Sequence, residues 1–184
     1  MQTKKITVSA IMLALATVLS FIKLFELPNG GAVTAASMLP IILVSYLLDF
    51  KWGVLVGFTY SLLQMLFGFF PPPVQNIPSF FAVIMLDYVL AFTVLGTAGK
   101  ITEKIRSSRL KYTVGAAIVI FARFIFHLIS GIIIWSVYAP EGQSPFVYSL
   151  LYNGSFIGVE LVITVMLFFA LSGTIDKIKK NFCS

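Results

Sequence analysis

Apolar residues fill six long stretches of the chain, at 6–23, 34–49, 53–70, 79–99, 111–138 and 145–172, and polar residues gather in the short segments between them. A helix needs about 20 mostly apolar residues to cross about 30 Å of hydrocarbon, with about 17 as a working minimum. The pattern therefore predicts an all-α integral membrane protein: a bundle of six transmembrane helices forming one membrane domain over 1–184. The second stretch is short and contains Pro40, so the residues before it, Asn29–Ser37, are expected to dip into the protein. Irregular backbone at that depth is tolerated only against protein or beside a wet cavity. The first stretch follows Lys4-Lys5, but no small-residue cleavage site comes after it. It is read as a retained span and not as a signal peptide.

Composition supports this reading: 59% of the 184 residues are hydrophobic and 11% are charged, against about 25% charged in a soluble domain. The mean hydropathy is +0.99. A water-facing fold is excluded. Eleven of the thirteen basic residues fall at the two ends and in the loops after the second and fourth stretches. Lys23 alone lies on the opposite side, and Arg123 is internal. By the positive-inside rule both termini face the cytoplasm of a multi-pass plasma-membrane protein. The lysines thus mark topology, and no nucleic-acid partner is expected. The outer loops carry Asn29-Gly30-Gly31, Phe69-Phe70-Pro71-Pro72-Pro73 and Tyr138-Ala139-Pro140-Glu141-Gly142, which read as shaped turns. The single cysteine, Cys183, cannot form an intrachain disulfide, and one His with one Cys cannot build a zinc or iron site.

Four ionisable residues, Asp87, Arg123, His127 and Glu160, interrupt apolar stretches, where each is costly and is a functional candidate. At a rise of about 1.5 Å per residue, Asp87 and Asn153 lie about 12 Å and His127 about 16 Å below the outer surface. Trp135 and Tyr148 lie about 5 Å down by the same measure, as a possible aromatic rim. Arg123, His127, Gly131 and Trp135 recur every four residues and share one slowly drifting face. Gly131 either lets a helix approach closely or leaves room for a ligand. Arg123 and Glu160 both come out about 22 Å down, and a structural ion pair between them is preferred to direct ligand contact. No Lys or Arg is expected at the depth of Asp87, so its carboxyl is protonated or awaits a cation. His127 can equally be a helix-to-helix hydrogen bond, and Trp135 and Tyr148 can be interfacial belt residues. Ala10 and Ala14 form a small-xxx-small pair that serves either internal packing or a partner surface.

The chain shows no second structural half of the kind that rocks in many carriers. It also contains no P-loop, Gly-x-Ser-x-Gly or His-Glu-x-x-His motif. A non-enzymatic binding subunit energised by other proteins fits this pattern better than a self-sufficient carrier.

Asn29-Gly30-Gly31-Ala32-Val33-Thr34 leading to Met38-Leu39-Pro40-Ile41, then Leu86-Asp87-Tyr88-Val89-Leu90-Ala91-Phe92, carry a resemblance. So, most specifically, does Arg123-Phe-Ile-Phe-His127-Leu-Ile-Ser-Gly131-Ile-Ile-Ile-Trp135, followed by Tyr138-Ala-Pro140 and Tyr148-Ser-Leu-Leu-Tyr-Asn153. Together these resemble the thiamine-specific substrate-binding (S) components of energy-coupling-factor (ECF) transporters, over essentially the whole chain. The resemblance implies a six-helix bundle that binds thiamine at its outer face, without a cofactor. It implies docking to a transmembrane coupling protein and two cytoplasmic ATPases. It maps Asp87, His127, Trp135, Tyr148 and Asn153 onto ligand-contacting positions, with Tyr88 and Gly131 as neighbours. Ala10 and Ala14 map onto the surface facing the coupling protein. Some relatives have Glu at the Asp87 position, and some place a Trp in the first outer loop, where residues 28–37 here hold no aromatic. Three other readings stay open: an S component for another vitamin or a thiamine precursor, a stand-alone proton-coupled carrier relaying through His127 and Asp87, and a membrane enzyme using those two groups as acid and base.

Overall fold

The computed structural model describes residues 2–183, and their side chains through residue 180. The thiol of Cys183 lies outside the described side chains. Six helices follow one another: α1 (Gln2–Phe21), α2 (Met38–Leu47), α3 (Phe50–Gly68), α4 (Ile77–Ile101), α5 (Ser108–Ile133) and α6 (Pro145–Cys183). Between α1 and α2 the chain forms a two-stranded antiparallel hairpin, β1 (Lys23–Glu26) and β2 (Ala32–Thr34), pairing Lys23 with Thr34 and Glu26 with Ala32.

Five of the helices are long and apolar enough to cross a membrane; α2 is not. The sequence predicts a span over 34–49, but α2 has ten residues, about 15 Å of helix. The missing length is supplied by the hairpin, which descends from the outer end to meet the start of α2. Ser37 and Thr34 share a hydrogen bond at that junction, 2.8 Å between hydroxyls. Although short, α2 is almost wholly buried, with Met38, Ile41, Ile42 and Val44 completely enclosed. It is the central staff around which the others pack, so its apolar residues run all round the helix, as expected of a buried helix.

Long-range contacts at one end fix how the helices return. Lys5 meets Asp49 (2.6 Å), Ser45 Oγ accepts from the Gly99 amide (3.0 Å), Tyr46 donates to the Lys111 carbonyl (3.1 Å) and Tyr112 donates to Asp176 (2.7 Å). The start of α1 and the end of α6 therefore share this end with the basic residues, and the charge rule assigns it to the cytoplasm. Asp49 also caps α3 by accepting from the Trp52 amide. The hydrogen bond from Lys5 holds its carboxyl below the usual carboxylate range. Nearby, α3 and α4 approach so closely that a Cβ on Gly96 would sit 2.0 Å from the Gly53 carbonyl oxygen; only glycine fits this crossing. Large apolar side chains such as Leu66, Ile133 and Met166 point outward, where lipid covers them.

α1 is the least enclosed helix, with only Ser9 and Ala16 buried. Ala10 and Ala14 are both exposed, so the small-residue pair takes no part in internal packing.

Candidate ligand-binding site

At the outer end the helices splay around a cavity of about 360 Å³, roofed by the hairpin and by Phe69 and Phe70 of the α3–α4 turn. α4 enters this region as a π-helical turn over Ile84–Leu90. Such single π turns recur at functional sites because the extra residue re-aims side chains. Here the turn directs Asp87 into the cavity. It also sends buried Tyr88 sideways, where its hydroxyl accepts from the Phe70 amide (2.9 Å) and donates to the Gly68 carbonyl (3.0 Å). Tyr88 thus anchors the roof instead of presenting its hydroxyl to the cavity.

Three groups converge on the Asp87 carboxylate. His127 Nδ1 lies 3.1 Å from Oδ1, Ser130 donates to Oδ2 at 2.7 Å, and the Trp135 indole donates to Oδ2 at 2.9 Å. The sequence expected a carboxyl that is protonated or awaits a cation. Its depth lacks Lys and Arg, but neutral donors take their place. A carboxylate offers about four lone-pair sites, so three donors leave room for one more. Arg123 Nε lies 3.4 Å from His127 Nε2. A guanidinium only donates, so Nε2 accepts, the imidazole proton sits on Nδ1, and it points at Asp87. The ring is thus oriented from below.

Below this layer Arg123 and Glu160 form the expected ion pair (3.2 Å), with side chains only 9% and 2% exposed. Arg123 also lies 4.6 Å over the Phe92 ring. The other Glu160 oxygen accepts from both the Thr34 amide (2.9 Å) and its hydroxyl (2.6 Å). The pair therefore joins α5 and α6 and also ties β2 into the bundle. Higher up, the Tyr152 hydroxyl receives the Gly31 amide (3.2 Å) and donates to the Pro28 carbonyl. Residues 28–37, which hold no aromatic of their own, are held by aromatics from α6.

One expectation about α5 is corrected. The predicted helix over 111–138 ends at Ile133, and Trp135–Tyr138 forms a 3₁₀ turn. Trp135 is consequently off the register that would align it with Arg123 and His127. This turn brings its indole N–H to Asp87, and its ring stacks on Tyr138 (6.4 Å between centroids, 16°) and tilts against Phe70. At Gly131, close approach wins over open space: a Cβ there would fall 2.0 Å from Ser149 Oγ and 3.0 Å from Asn153 Nδ2. Gly131→Ala is expected to force Ser149 off its bond to the Leu128 carbonyl (2.8 Å) and to destabilise the protein by about 1–3 kcal/mol, the usual range for overpacking. Thermal unfolding in detergent checks this.

Asn153 spends its amide hydrogens on the His127 carbonyl (3.2 Å) and on Ser149 (3.1 Å), leaving its carbonyl oxygen for the cavity. Tyr148, half-buried, stacks on Tyr152 (5.7 Å, 27°). Asp87, His127, Trp135, Tyr148, Asn153, Tyr88 and Gly131 all line the one cavity. Sequence reasoning missed Ser130, Tyr152, Phe156 and Thr34. Tyr148, Tyr152, Phe156 and Glu160 recur every four residues, and that spacing was the available signal for two of them.

Fold and site together define a multi-pass membrane protein with a polar, aromatic-walled receptor cavity at one end. Residues 6–180 match the family described as thiamine transporter protein (Thia_YuaJ), and the chain belongs to that family. It is 31% identical to the thiamine transporter ThiT of Bacillus subtilis (strain 168), over 94% of this chain and 92% of that protein. It is 27% identical to the thiamine transporter ThiT of Lacticaseibacillus paracasei, over 86% and 81% respectively. A solved structure of ThiT from Listeria monocytogenes shares the fold with a TM-score of 0.78 at 21% identity, covering 97% of this chain and 98% of that one. The family and the apolar helices place the protein in the bacterial plasma membrane.

Proposed function

We propose that this chain is the thiamine-binding S component of an ECF transporter, capturing thiamine in the outer cavity for delivery by a shared ATP-driven module. The observation that carries the reading is the Asp87 carboxylate, oriented by three donors yet retaining acceptor capacity, at the wall of an aromatic cavity. Its relatives in the family are thiamine transporters. Thiamine combines a permanently cationic thiazolium with a flat aminopyrimidine and a hydroxyethyl tail. Asp87 supplies the counter-charge or accepts from the amino group. Trp135 and Tyr148 offer ring faces, with cation–π attraction worth about 2 kcal/mol when desolvated. The Asn153 carbonyl oxygen is a further acceptor for a ring edge. Arg123 and Glu160 act beneath, as support.

The same reading assigns Ala10 and Ala14, on the open face of α1, to a transmembrane coupling protein that recruits two cytoplasmic ATPases. The protein itself catalyses no reaction on thiamine.

Thiamine added to detergent-solubilised protein is expected to change tryptophan fluorescence. Trp135 lies on the cavity, whereas Trp52 sits at the cytoplasmic end beside Asp49. Trp135→Phe should abolish the change and Trp52→Phe should keep it. Competition by the isolated pyrimidine at equal strength would point to a precursor as the ligand. Uptake into liposomes by the protein alone, driven by a pH gradient, would overturn the S-component assignment in favour of an autonomous carrier.

A further inference from the structure

A second cavity, of about 220 Å³, opens at the cytoplasmic end, away from the ligand site. It lies where three spans terminate: Phe50 begins α3, Lys100 is the penultimate residue of α4 and Lys111 is in the first turn of α5. Lys179 reaches it from α6. Lys111 and Lys179 are half-buried, unlike most of the lysines.

The carboxylates lining this cavity are fewer than its lysines. Glu103 lines it together with Lys100 and pairs with that lysine (2.8 Å), Asp49 pairs with Lys5, and Asp176, nearby, accepts from the neutral Tyr112 hydroxyl. Lys111 and Lys179 therefore face one cavity with no carboxylate in ion-pair contact among the described residues. Two partly desolvated ammonium groups in one hollow repel each other, and an anion between them removes the repulsion. Positive-inside lysines that only mark topology are expected on the solvated surface instead, as Lys104 and Lys177 are.

The rest of the wall indicates the source of the anion. Leu48 and Phe50 line the cavity, Phe50 is 47% exposed, and Leu110 beside Lys111 is 57% exposed. Apolar side chains next to paired lysines, at the depth where spans end, match a phosphate attached to acyl chains better than a free ion. Basic pockets between helices on the cytoplasmic side are a recurrent setting for anionic headgroups. We propose that this cavity holds the phosphate of an anionic inner-leaflet phospholipid, clasped between Lys111 and Lys179.

The test uses the full chain in nanodiscs of mixed phosphatidylglycerol and phosphatidylcholine, with retained lipid read by native mass spectrometry. Wild type should retain phosphatidylglycerol preferentially, and excess inorganic phosphate should not displace it. The double variant K111Q/K179Q should lose that preference by roughly 10- to 30-fold, about 1 kcal/mol per lysine. K104Q, an exposed lysine outside the cavity, should behave as wild type. If the double variant fails to elute as a single species, K111Q and K179Q separately carry the same comparison at part of the effect. Equal retention of the two lipids, or a preference that survives the lysine substitutions, overturns the proposal. Displacement by inorganic phosphate would make a free anion the ligand. Unchanged lipid retention with lost assembly onto a partner would assign the lysines to an acidic protein segment.

Discussion

Asp87→Asn is expected to weaken thiamine binding by about 30-fold to several thousand-fold while leaving the bundle folded. The range corresponds to the roughly 2–5 kcal/mol lost when one member of a buried charged contact is removed. Loss of the counter-charge is only part of the reason. An asparagine carries an amide NH₂ where the carboxylate had a second acceptor, and the pocket around it is built from donors. If the amide nitrogen takes the Oδ2 position it faces the Ser130 hydroxyl and the Trp135 indole; in the Oδ1 position it faces His127 Nδ1. His127 cannot simply exchange tautomers, because its Nε2 already accepts from Arg123. The side chain must rotate, and Trp135 loses its anchor with it. Ser130→Ala removes one donor without reversing polarity, so a smaller loss is expected, near the roughly 1.5–3 kcal/mol of a hydrogen bond to a charged group. Ser107→Ala, at the cytoplasmic end of α5, should change nothing. Calorimetric titration of the three variants decides the order. Equal affinities for the asparagine variant and the parent would remove Asp87 from the site.

What the sequence made legible, and what it hid, follows from the range of the interactions concerned. The six apolar stretches needed only hydropathy, and a helix overlaps each of them, although only α2 lies wholly inside its stretch. The depth layering needed only helical rise, and it brought Asp87, His127 and Asn153 to one level. The ion pair of Arg123 with Glu160 followed because two opposite charges at one depth in an apolar bundle have few alternatives. Backbone departures were not readable. Nothing in Ile84–Leu90 announces a π turn, and nothing in Ile134-Trp135 announces the switch to a 3₁₀ turn, since both depend on what packs against them. The hairpin was hidden for a similar reason. Its strands have four and three residues, too few for alternation to register, and they are held by Glu160 and Tyr152 more than 120 positions away. Ser130 was overlooked because a serine beside a glycine reads as a packing residue. Its role exists only once the π turn has aimed Asp87 at it.

The other large effect concerns stability. Arg123→Met is expected to destabilise the folded protein by about 3–5 kcal/mol, the cost of leaving one half of a buried ion pair uncompensated. Glu160 would keep its two bonds from Thr34, but those neutral donors do not cancel a charge on a side chain that is only 2% exposed. Glu160→Met should be at least as damaging. It strands the guanidinium between Phe92 and Met38 and also releases β2. The double variant Arg123→Met/Glu160→Met removes both charges and should recover part of the loss, because apolar replacement of a whole buried pair is often near neutral. Recovery will be incomplete, since His127 loses the donor that fixes its tautomer and Thr34 loses its acceptor. Thermal unfolding of the four proteins in one detergent completes the cycle. The two variants carrying Glu160→Met should in addition become more susceptible to proteolysis between Lys23 and Thr34, which Arg123→Met alone should not. A melting curve for Arg123→Met superimposable on that of the parent would mean that the pair is solvated. The guanidinium would then have no part in holding the imidazole that orients Asp87.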